Sequence, residues 1–587
     1  MNKKHTLLID VGSTHIKVGL YNDITKELTK SKYSFPEPTI NHDNLYEVCL
    51  DSIWEIIHQI INENIDEITD VLISVQMHGF ILFNKDYKPI TNFISWQDQR
   101  GISMMHTMHI PYDHGLKLKP NLPWLSIQYM KKNHPLLFDQ EVHVMTLGSY
   151  LSFKLTGKNI THVTDAFSLG SLNVVFNQYT RSPLVLPIST LDIVEIGQYR
   201  NVKIYSPMGD HQVSMYAIEK NTGYILNLGT SGQICIIDDE LKEGPFESRP
   251  FMDGQYIHTV TGIYGGKFIR ENADAPDIVE NLYKEYEHAI SNLPKREYIV
   301  VTGGATKYFK HILDKVLNKL GLPYFFNEKD AINGLAKVKE KIDKMQIGTM
   351  LSEFNIPNIP IIFKQSGLDF FILDYEHGGF DYNDLLSIIT IARLSHIKVF
   401  VRLSDNSRKD ITKIMDMGPD GLILPMTSTV DDIKKVVEYA LYYPMGKRGL
   451  STMRAHSFYN PPKDSIKYMV EANSRIKIFA QIETSKGVEN YQKIVEIDGV
   501  SGVFIGPNDL SASYKDPGNV LNDEVIKAIN HIGHHKAKLL GMITTNKKHI
   551  EISKKLKFDY LSIGSELSVL KQAYQVMVQS HKKEGET

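Results

Sequence analysis

The chain has 587 residues, 42% of them hydrophobic, and a formal net charge of -3 from 65 basic and 68 acidic side chains with no block of either sign. Such a length suits roughly three to five ordinary domains, and the charge balance carries no footprint of nucleic-acid or membrane binding. Only Cys49 and Cys235 are present, which excludes a disulfide framework and a cysteine zinc site; with a charged stub leading straight into a strand and no apolar run near the ~18 residues of a membrane span, a cytoplasmic setting is expected.

The first elements are a short apolar run at 7–9, a turn at 10–14 and an alternating run at 16–21, which predict a hairpin. Apolar residues at three- and four-residue intervals predict a helix over 45–62, and strands are predicted at 71–75, 224–228, 233–237 and 298–301. The class is mixed α/β. Residues 336–344, AKVKEKIDK, are charged and free of Gly and Pro, and predict a helical connector that holds two halves in a fixed relation.

From about residue 345 the pattern becomes regular, with strands predicted at 347–351, 370–374, 398–402, 421–425, 477–483, 502–506, 539–544 and 560–564, separated by helical stretches. Eight strand-then-helix units are what a (β/α)8 TIM barrel requires, because parallel strands need crossover helices. The alternative is an open doubly wound sheet. The expected domain limits are 1–215, 216–338 and 339–587.

Candidate chemistry in the first part lies where strands run into small-residue turns. Asp10 ends a strand and is followed by Gly12, Ser13 and Thr14, so backbone N–H groups and hydroxyls can approach phosphate oxygens while the carboxylate holds a hydrated Mg2+. Two further turns, LGTSG with Gly229, Thr230 and Ser231, and TGGAT with Gly303, Gly304 and Ala305, also follow apolar strands.

In the barrel the functional residues should sit at the strand ends: Asp374, Glu376 and His377 after the second, Arg402 after the third, Gln481 and Glu483 after the fifth, Asn508 and Asp509 after the sixth. Two carboxylates from neighbouring strands suit Mg2+ or Mn2+. An Arg can clamp a carboxylate and a His can exchange a proton near neutrality. Together they point to chemistry through an enolate.

The motifs DVGSTHIK, VQMHG, SWQDQR, MGDHQ, LGTSG and TGGAT, over about residues 5–338, resemble the FGGY carbohydrate kinases of the actin-like ATPase superfamily, whose fold is ribonuclease H-like. GDHQ, NLGTSGQICII and RPFMDGQYIHTVTGIYGG look most like its sedoheptulokinase-like branch. The resemblance implies ATP and Mg2+ as cofactors, with Asp10, Gly12, Ser13, Thr14, Lys17 and the two later turns on the nucleotide. It implies sugar contacts from Gln76, Met77, His78, Gly79, Trp96, Asp98 and Arg100, and Asp210 as the base that accepts the sugar hydroxyl proton. The part after Asp210 is short for this family. A non-catalytic sugar-binding or assembly module is therefore the alternative to a kinase.

The motifs ILDYEHG, VFVRL, GPDGLILPM, YPMGKRG, QIETSKGVEN and GVFIGPNDLSAS, over about residues 345–575, resemble the HpcH/HpaI class II pyruvate aldolases. That resemblance implies Glu483 and Asp509 as metal ligands, Arg402 as the enolate-stabilising cation, His377 as acid/base oriented by Asp416, and Gln481 and Asn508 as substrate contacts. The implied reaction is retro-aldol cleavage of a 2-keto-3-deoxy (4-hydroxy-2-oxo) acid to pyruvate and an aldehyde. The citrate lyase β-type CoA-ester lyases are the alternative on a similar barrel. The family also implies homo-oligomers, commonly hexamers. Expected partners are small sugars and keto acids.

Overall fold

The first predicted hairpin forms: strand His5–Val11 runs antiparallel to His15–Asn22. The computed structural model describes residues 5–105, 117–173, 178–179, 184–229, 231–462 and 465–584. The chain divides into two units, Met1–Ile342 and Asp343–Thr587.

The first unit is built on two sheets. In one, His5–Val11 lies between its hairpin partner and the parallel strand Ile68–Val75, with Val202–Tyr205 and Glu195–Tyr199 beyond. In the other, Tyr224–Leu228 lies between the antiparallel Gly232–Asp238 and the parallel Ile299–Thr302. Each sheet thus places a hairpin beside a parallel strand, and the small-residue turns fall at corresponding strand ends.

Both faces of the first sheet are covered because both sets of alternating side chains are apolar. Leu7, Ile9 and Val11 pack with Ile53, Ile57 and Ile61 of helix Leu50–Asn64, whereas Leu8 and Leu72 pack with Ile332, Leu335 and Val338 of helix Ala331–Ile342. This second contact corrects the expected connector. Each fully buried Leu, Ile or Val contributes roughly 1.5–3 kcal/mol, so the helix is part of the first unit's core. Its charged appearance misleads because Lys339 is itself buried, with Nζ 3.1 Å from Asp70 Oδ2.

The helix expected over 45–62 begins only at Leu50. Residues Leu45–Val48 are instead a strand paired with Ile40–His42 and Phe93–Ile94. Helical spacing of the apolar residues loses there because neighbouring strands supply backbone partners, and the Tyr46 N–H donates to Asp98 Oδ2 at 2.8 Å.

The second unit is a closed barrel of Gln346–Leu351, Phe370–Asp374, Lys398–Arg402, Gly421–Leu424, Lys477–Ile482, Gly502–Ile505, Leu539–Ile543 and Tyr560–Ser565. All eight predicted strands are present, and pairing of Gln346 with Tyr560 closes the ring. The interior is filled by aromatic rings rather than left as a pore: Phe479 lies 5.0 Å from Phe504 and 5.3 Å from Phe400, and Phe370 lies 5.2 Å from Tyr560, between centroids. A filled barrel leaves only the strand ends and loops for chemistry. Among the described residues no helix is long and apolar enough to cross a membrane.

Candidate active sites

In the first unit the pairing of Asp10 with Ser74 across parallel strands sets the geometry. Ser74 Oγ donates to Asp10 Oδ1 at 2.9 Å, and Lys17, opposite Asp10 on the hairpin, brings Nζ to 3.3 Å from Oδ2. Burial pushes the Asp10 carboxyl up despite Lys17. Gly12 makes the tight turn, its N–H donating to His15 O at 3.1 Å, while Ser13 is half-buried and Thr14 exposed.

Asp210 begins the helix Asp210–Tyr216, directly after the short strand Met208–Gly209 that pairs with Ser74 and Val75. Burial, reinforced by Asp10, pushes its carboxyl up to about 7, and Lys17 acts on both acids. Asp10, Lys17 and Asp210 therefore form one electrostatic group. In the second sheet Ala305 N–H donates to Leu228 O at 3.0 Å, which brings the Gly303–Gly304–Ala305 turn against the turn containing Gly229 and Ser231. Gly303 has φ of 100°, and a Cβ there would lie 2.5 Å from Leu228 O, so no other residue fits. Thr230 lies outside the described residues.

The sugar-contact residues divide. Gln76 and Met77 are buried beside the site: Gln76 Nε2 donates to Gly12 O at 3.4 Å, and the Met77 sulfur abuts Gly209. His78 has φ of 62° and donates Nδ1–H to Ser168 O at 3.1 Å. Gly79 packs so closely under Phe93 that a Cβ would lie 2.3 Å from the ring. Trp96 is 40% exposed.

Asp98 and Arg100 require a correction. Asp98 accepts from the N–H groups of Tyr46 and Arg100 and from Arg100 Nε and Nη2, at 2.8–3.0 Å. Those four bonds use the carboxylate's acceptor capacity, and Arg100 Nη2 also bonds Glu47 Oε1 at 2.7 Å. Both residues lock the segment that carries Trp96, and Asp98 has no acceptor capacity left for a sugar hydroxyl, whereas Arg100 Nη1 makes only a 3.7 Å contact with the Met130 sulfur.

In the barrel, Glu483 is 2% exposed and both of its oxygens are held. Oε1 accepts the Met426 N–H and Oε2 accepts Gln481 Nε2, each at 2.5 Å. Burial is the main cause that pushes its carboxyl up to about 7, with added repulsion from Asp509 and Glu376. Asp509 and Asn508 stand exposed at the start of helix Pro507–Ser513. Gln481 Oε1 is buried and has no partner among the described residues.

Arg402 sets Nε and Nη2 on the two oxygens of Asp374 at 2.9 and 2.6 Å, and Nε lies 3.4 Å from Glu376 Oε2. Its Nη1 has no hydrogen bond among the described residues. The Asp374 carboxylate also accepts the N–H groups of Glu376 and His377, at 3.1 and 3.3 Å. The His377 side chain is 72% exposed, 3.8 Å from Glu376 Oε2.

Asp416 does not orient His377 within this chain. It lies near the C-terminal end of helix Arg408–Met417, which returns to the opposite end of the barrel, and its carboxylate meets Arg448 Nη2 at 3.1 Å and His456 Nε2 at 3.8 Å. Residues that carry weight without having been assigned roles from sequence are Ser74, His211, Glu247, Arg249 and Lys119 in the first unit and Asp374 and Glu376 in the barrel. Ser74 and Asp374 were legible as polar residues in apolar strands. Glu247 was not, and Arg249 stood at the head of the RPFMDGQYIHTVTGIYGG motif without a role assigned to it.

A model of the FGGY family of carbohydrate kinases, N-terminal domain, matches residues 5–188, and a model of the HpcH/HpaI aldolase/citrate lyase family matches residues 351–571. The barrel region is 30% identical over 222 residues to the 5-keto-4-deoxy-D-glucarate aldolase of Enterobacter sp. (strain 638), spanning 37% of this chain and 85% of that protein. It is 29% identical over 244 residues to the aldolase of the same name from Klebsiella pneumoniae subsp. pneumoniae, spanning 41% and 93%. A solved xylulose kinase from Lactobacillus acidophilus shares the fold of the first unit at 19% identity, with a TM-score of 0.52 over 58% of this chain and 89% of that one. The chain belongs to the HpcH/HpaI aldolase/citrate lyase family through its barrel, which it carries fused to an FGGY carbohydrate-kinase unit.

Proposed function

We propose that the chain is a bifunctional enzyme of carbohydrate metabolism. The barrel is read as a divalent-metal-dependent aldolase that cleaves a 2-keto-3-deoxy (4-hydroxy-2-oxo) acid to pyruvate and an aldehyde, and the first unit as an ATP-dependent kinase of a sugar hydroxyl. The observation that carries the aldolase reading is a buried carboxylate raised to about 7, Glu483, within electrostatic reach of Asp509, Glu376 and the Asp374-clamped Arg402.

Glu483 and Asp509 fit a hard cation such as Mg2+ or Mn2+, because mutual repulsion and burial make two ionised carboxylates costly until a positive charge joins them. When bound, the metal supplies Lewis acidity toward the substrate's carboxylate and keto oxygens. Gln481 and the Met426 N–H keep the Glu483 carboxylate in one orientation. Asp374 fixes the plane of Arg402, leaving Nη1 to stabilise negative charge on the enolate oxygen. His377 takes the proton of the 4-hydroxyl as the C3–C4 electron pair passes into the enolate, and returns a proton to C3 to give pyruvate.

The two bacterial relatives make 5-keto-4-deoxy-D-glucarate the first compound to test. Pyruvate release from it or from other 2-keto-3-deoxy acids, abolished by EDTA and by Glu483→Ala, supports the reading; cleavage that persists without metal overturns it.

In the kinase reading Asp210 accepts the proton of the sugar hydroxyl, and the turn amides beside Asp10 and Lys17 neutralise phosphate charge. Support comes from the buried Asp10 and the half-buried Asp210, whose raised carboxyl groups suit a site that also takes a Mg2+ ion. ATP-dependent ADP release across a sugar panel tests it, and Asp210→Asn should remove that release.

A homo-oligomer formed through the barrel completes the proposal. Along the last helix, Glu566–Glu584, the side chains of Leu567, Val569, Leu570, Tyr574 and Val576 are between 42% and 61% exposed. Barrel helices ordinarily bury such residues, and light scattering on the intact chain measures whether a second copy covers them.

A further inference from the structure

Beside Asp210 lies a buried charged cluster that a neutral sugar does not explain. The strand Glu247–Pro250 is wholly buried, and it holds Glu247 and Arg249 side by side. Arg249 gives Nη2 and Nε to Glu247 Oε2 at 2.6 and 3.2 Å, while Lys119 brings Nζ to 2.5 Å from Oε1 and also donates to Thr261 Oγ1 at 2.7 Å. Although burial opposes ionisation, these two cations hold the Glu247 carboxyl down to about 2. Two cations thus share one carboxylate. One positive charge is left without a counter-ion among the described residues, and Arg249 Nη1 has no hydrogen bond there.

Around this cluster lie polar atoms that lack partners. Both ring nitrogens of His211, the residue next to Asp210, are buried and have no hydrogen bond among the described residues, and the same holds for Gln212 Oε1 and Gln76 Oε1. Burial first and Arg249 second push His211 and His78 each down to about 3, so both rings are neutral; His211 offers one donor and one acceptor, and His78, whose Nδ1–H is given to Ser168 O, offers an acceptor. Buried polar atoms left unpaired cost about 1–3 kcal/mol each, and hydroxyl groups can satisfy rings and amides of this kind. A hydroxyl cannot balance the surplus charge on Lys119 and Arg249. A carboxylate can, through a charge-assisted contact.

We propose that the acceptor of the kinase unit is a sugar acid, bound with its carboxylate against Arg249 and Lys119 and its hydroxyls among Gln76, His211 and Gln212. This rests on the kinase reading given above. In the reaction the acceptor hydroxyl oxygen forms a bond to the γ-phosphorus of ATP, and its proton passes to Asp210. The bond from that phosphorus to the bridging oxygen breaks, and its electron pair leaves with ADP. Both units would then act on polyhydroxy carboxylic acids.

The test uses the intact chain and matched pairs of acceptors, D-gluconate against D-glucitol and D-xylonate against D-xylitol, with ADP release and ligand-induced thermal shift as two readouts. The acids are expected to exceed the polyols at least tenfold in kcat/KM, and Lys119→Met is expected to raise KM for the acids at least tenfold. Because loss of Arg249 alone would strand a buried Glu247 charge, the paired variant Glu247→Gln/Arg249→Met checks that residue, and the acid-to-polyol ratio should collapse toward one. Phosphorylation of polyols as good as or better than that of acids overturns the sugar-acid proposal and leaves the kinase standing. If no acceptor is phosphorylated the kinase reading falls, and binding decides the rest: a thermal shift with acids alone that Lys119→Met removes supports a sugar-acid site, and no preference for acids refutes it.

Discussion

Met426 directs its backbone N–H at Oε1 of Glu483 from 2.5 Å away, and it does so from a left-handed backbone with φ of 51°. Such a conformation in a residue with a side chain costs on the order of 1 kcal/mol or more and persists where surrounding structure demands it. Here the strained turn after the fourth barrel strand fixes one oxygen of the carboxylate, and Gln481 fixes the other.

The room for that carboxylate comes from Gly506, where a Cβ would stand 2.5 Å from Glu483 Oε2. Gly506→Ala should displace Glu483 with little effect on the fold. A fall of at least tenfold in kcat/KM for pyruvate formation, with unchanged circular dichroism, is the expected result.

Arg402 and Asp374 form a buried two-point ion pair. Removing one partner of such a pair costs about 3–5 kcal/mol because the other charge is left buried. Asp374→Ala should therefore lower Tm and activity together. Arg402→Lys should largely keep Tm but lose at least about tenfold in kcat, since an ammonium cannot reproduce the planar fork. Thermal melts and pyruvate assays separate the two effects.

Divalent cation binding should depend on pH through Glu483. Its carboxyl titrates near 7 in the free protein, so a metal binding at lower pH must first displace a proton. The apparent affinity for Mn2+, followed by titration calorimetry, should rise as pH increases toward about 7 and then level off. Glu483→Gln should weaken binding and flatten the profile.

Kinase activity should follow Asp210. With its carboxyl at about 7, the fraction able to accept a proton grows through neutrality, so kcat/KM should climb nearly tenfold per pH unit below that value and reach a plateau above it. Stability runs the other way. The folded chain keeps a proton that the unfolded chain releases above the ordinary value of 3.8, so folding stability falls as pH rises from there to about 7. Asp210→Asn should melt at a higher temperature than the parent at pH 8 and show no phosphoryl transfer.

Much of the barrel was legible because its signal is local and repeated. Strand residues such as Phe370 to Leu373 form a continuous apolar run, and the sites follow from strand ends. The kinase-like unit was less legible where charge misled. Lys339 made a core helix look like a linker, and Leu45–Val48 carried helical spacing yet joined a sheet. Asp98 and Arg100 looked free in SWQDQR because nothing in the order of residues reveals that Tyr46 and Glu47 come to meet them.

Sequence by itself determined the eight barrel strands and the position of Asp10, Arg402, Glu483 and Asp509 at strand ends, because apolar periodicity and turn chemistry act over a few residues, while the fold of the first unit and the role of Asp210 came from the resemblance of its motifs. Only the tertiary structure decided which charges meet. Asp416 was separated from His377 because a barrel helix runs back to the opposite end, Asp374 was placed on Arg402 by the register of parallel strands, and Lys119 joined Glu247 and Arg249 from a distant segment. Electrostatic partnership depends on distance in space and on burial, and a linear sequence records neither.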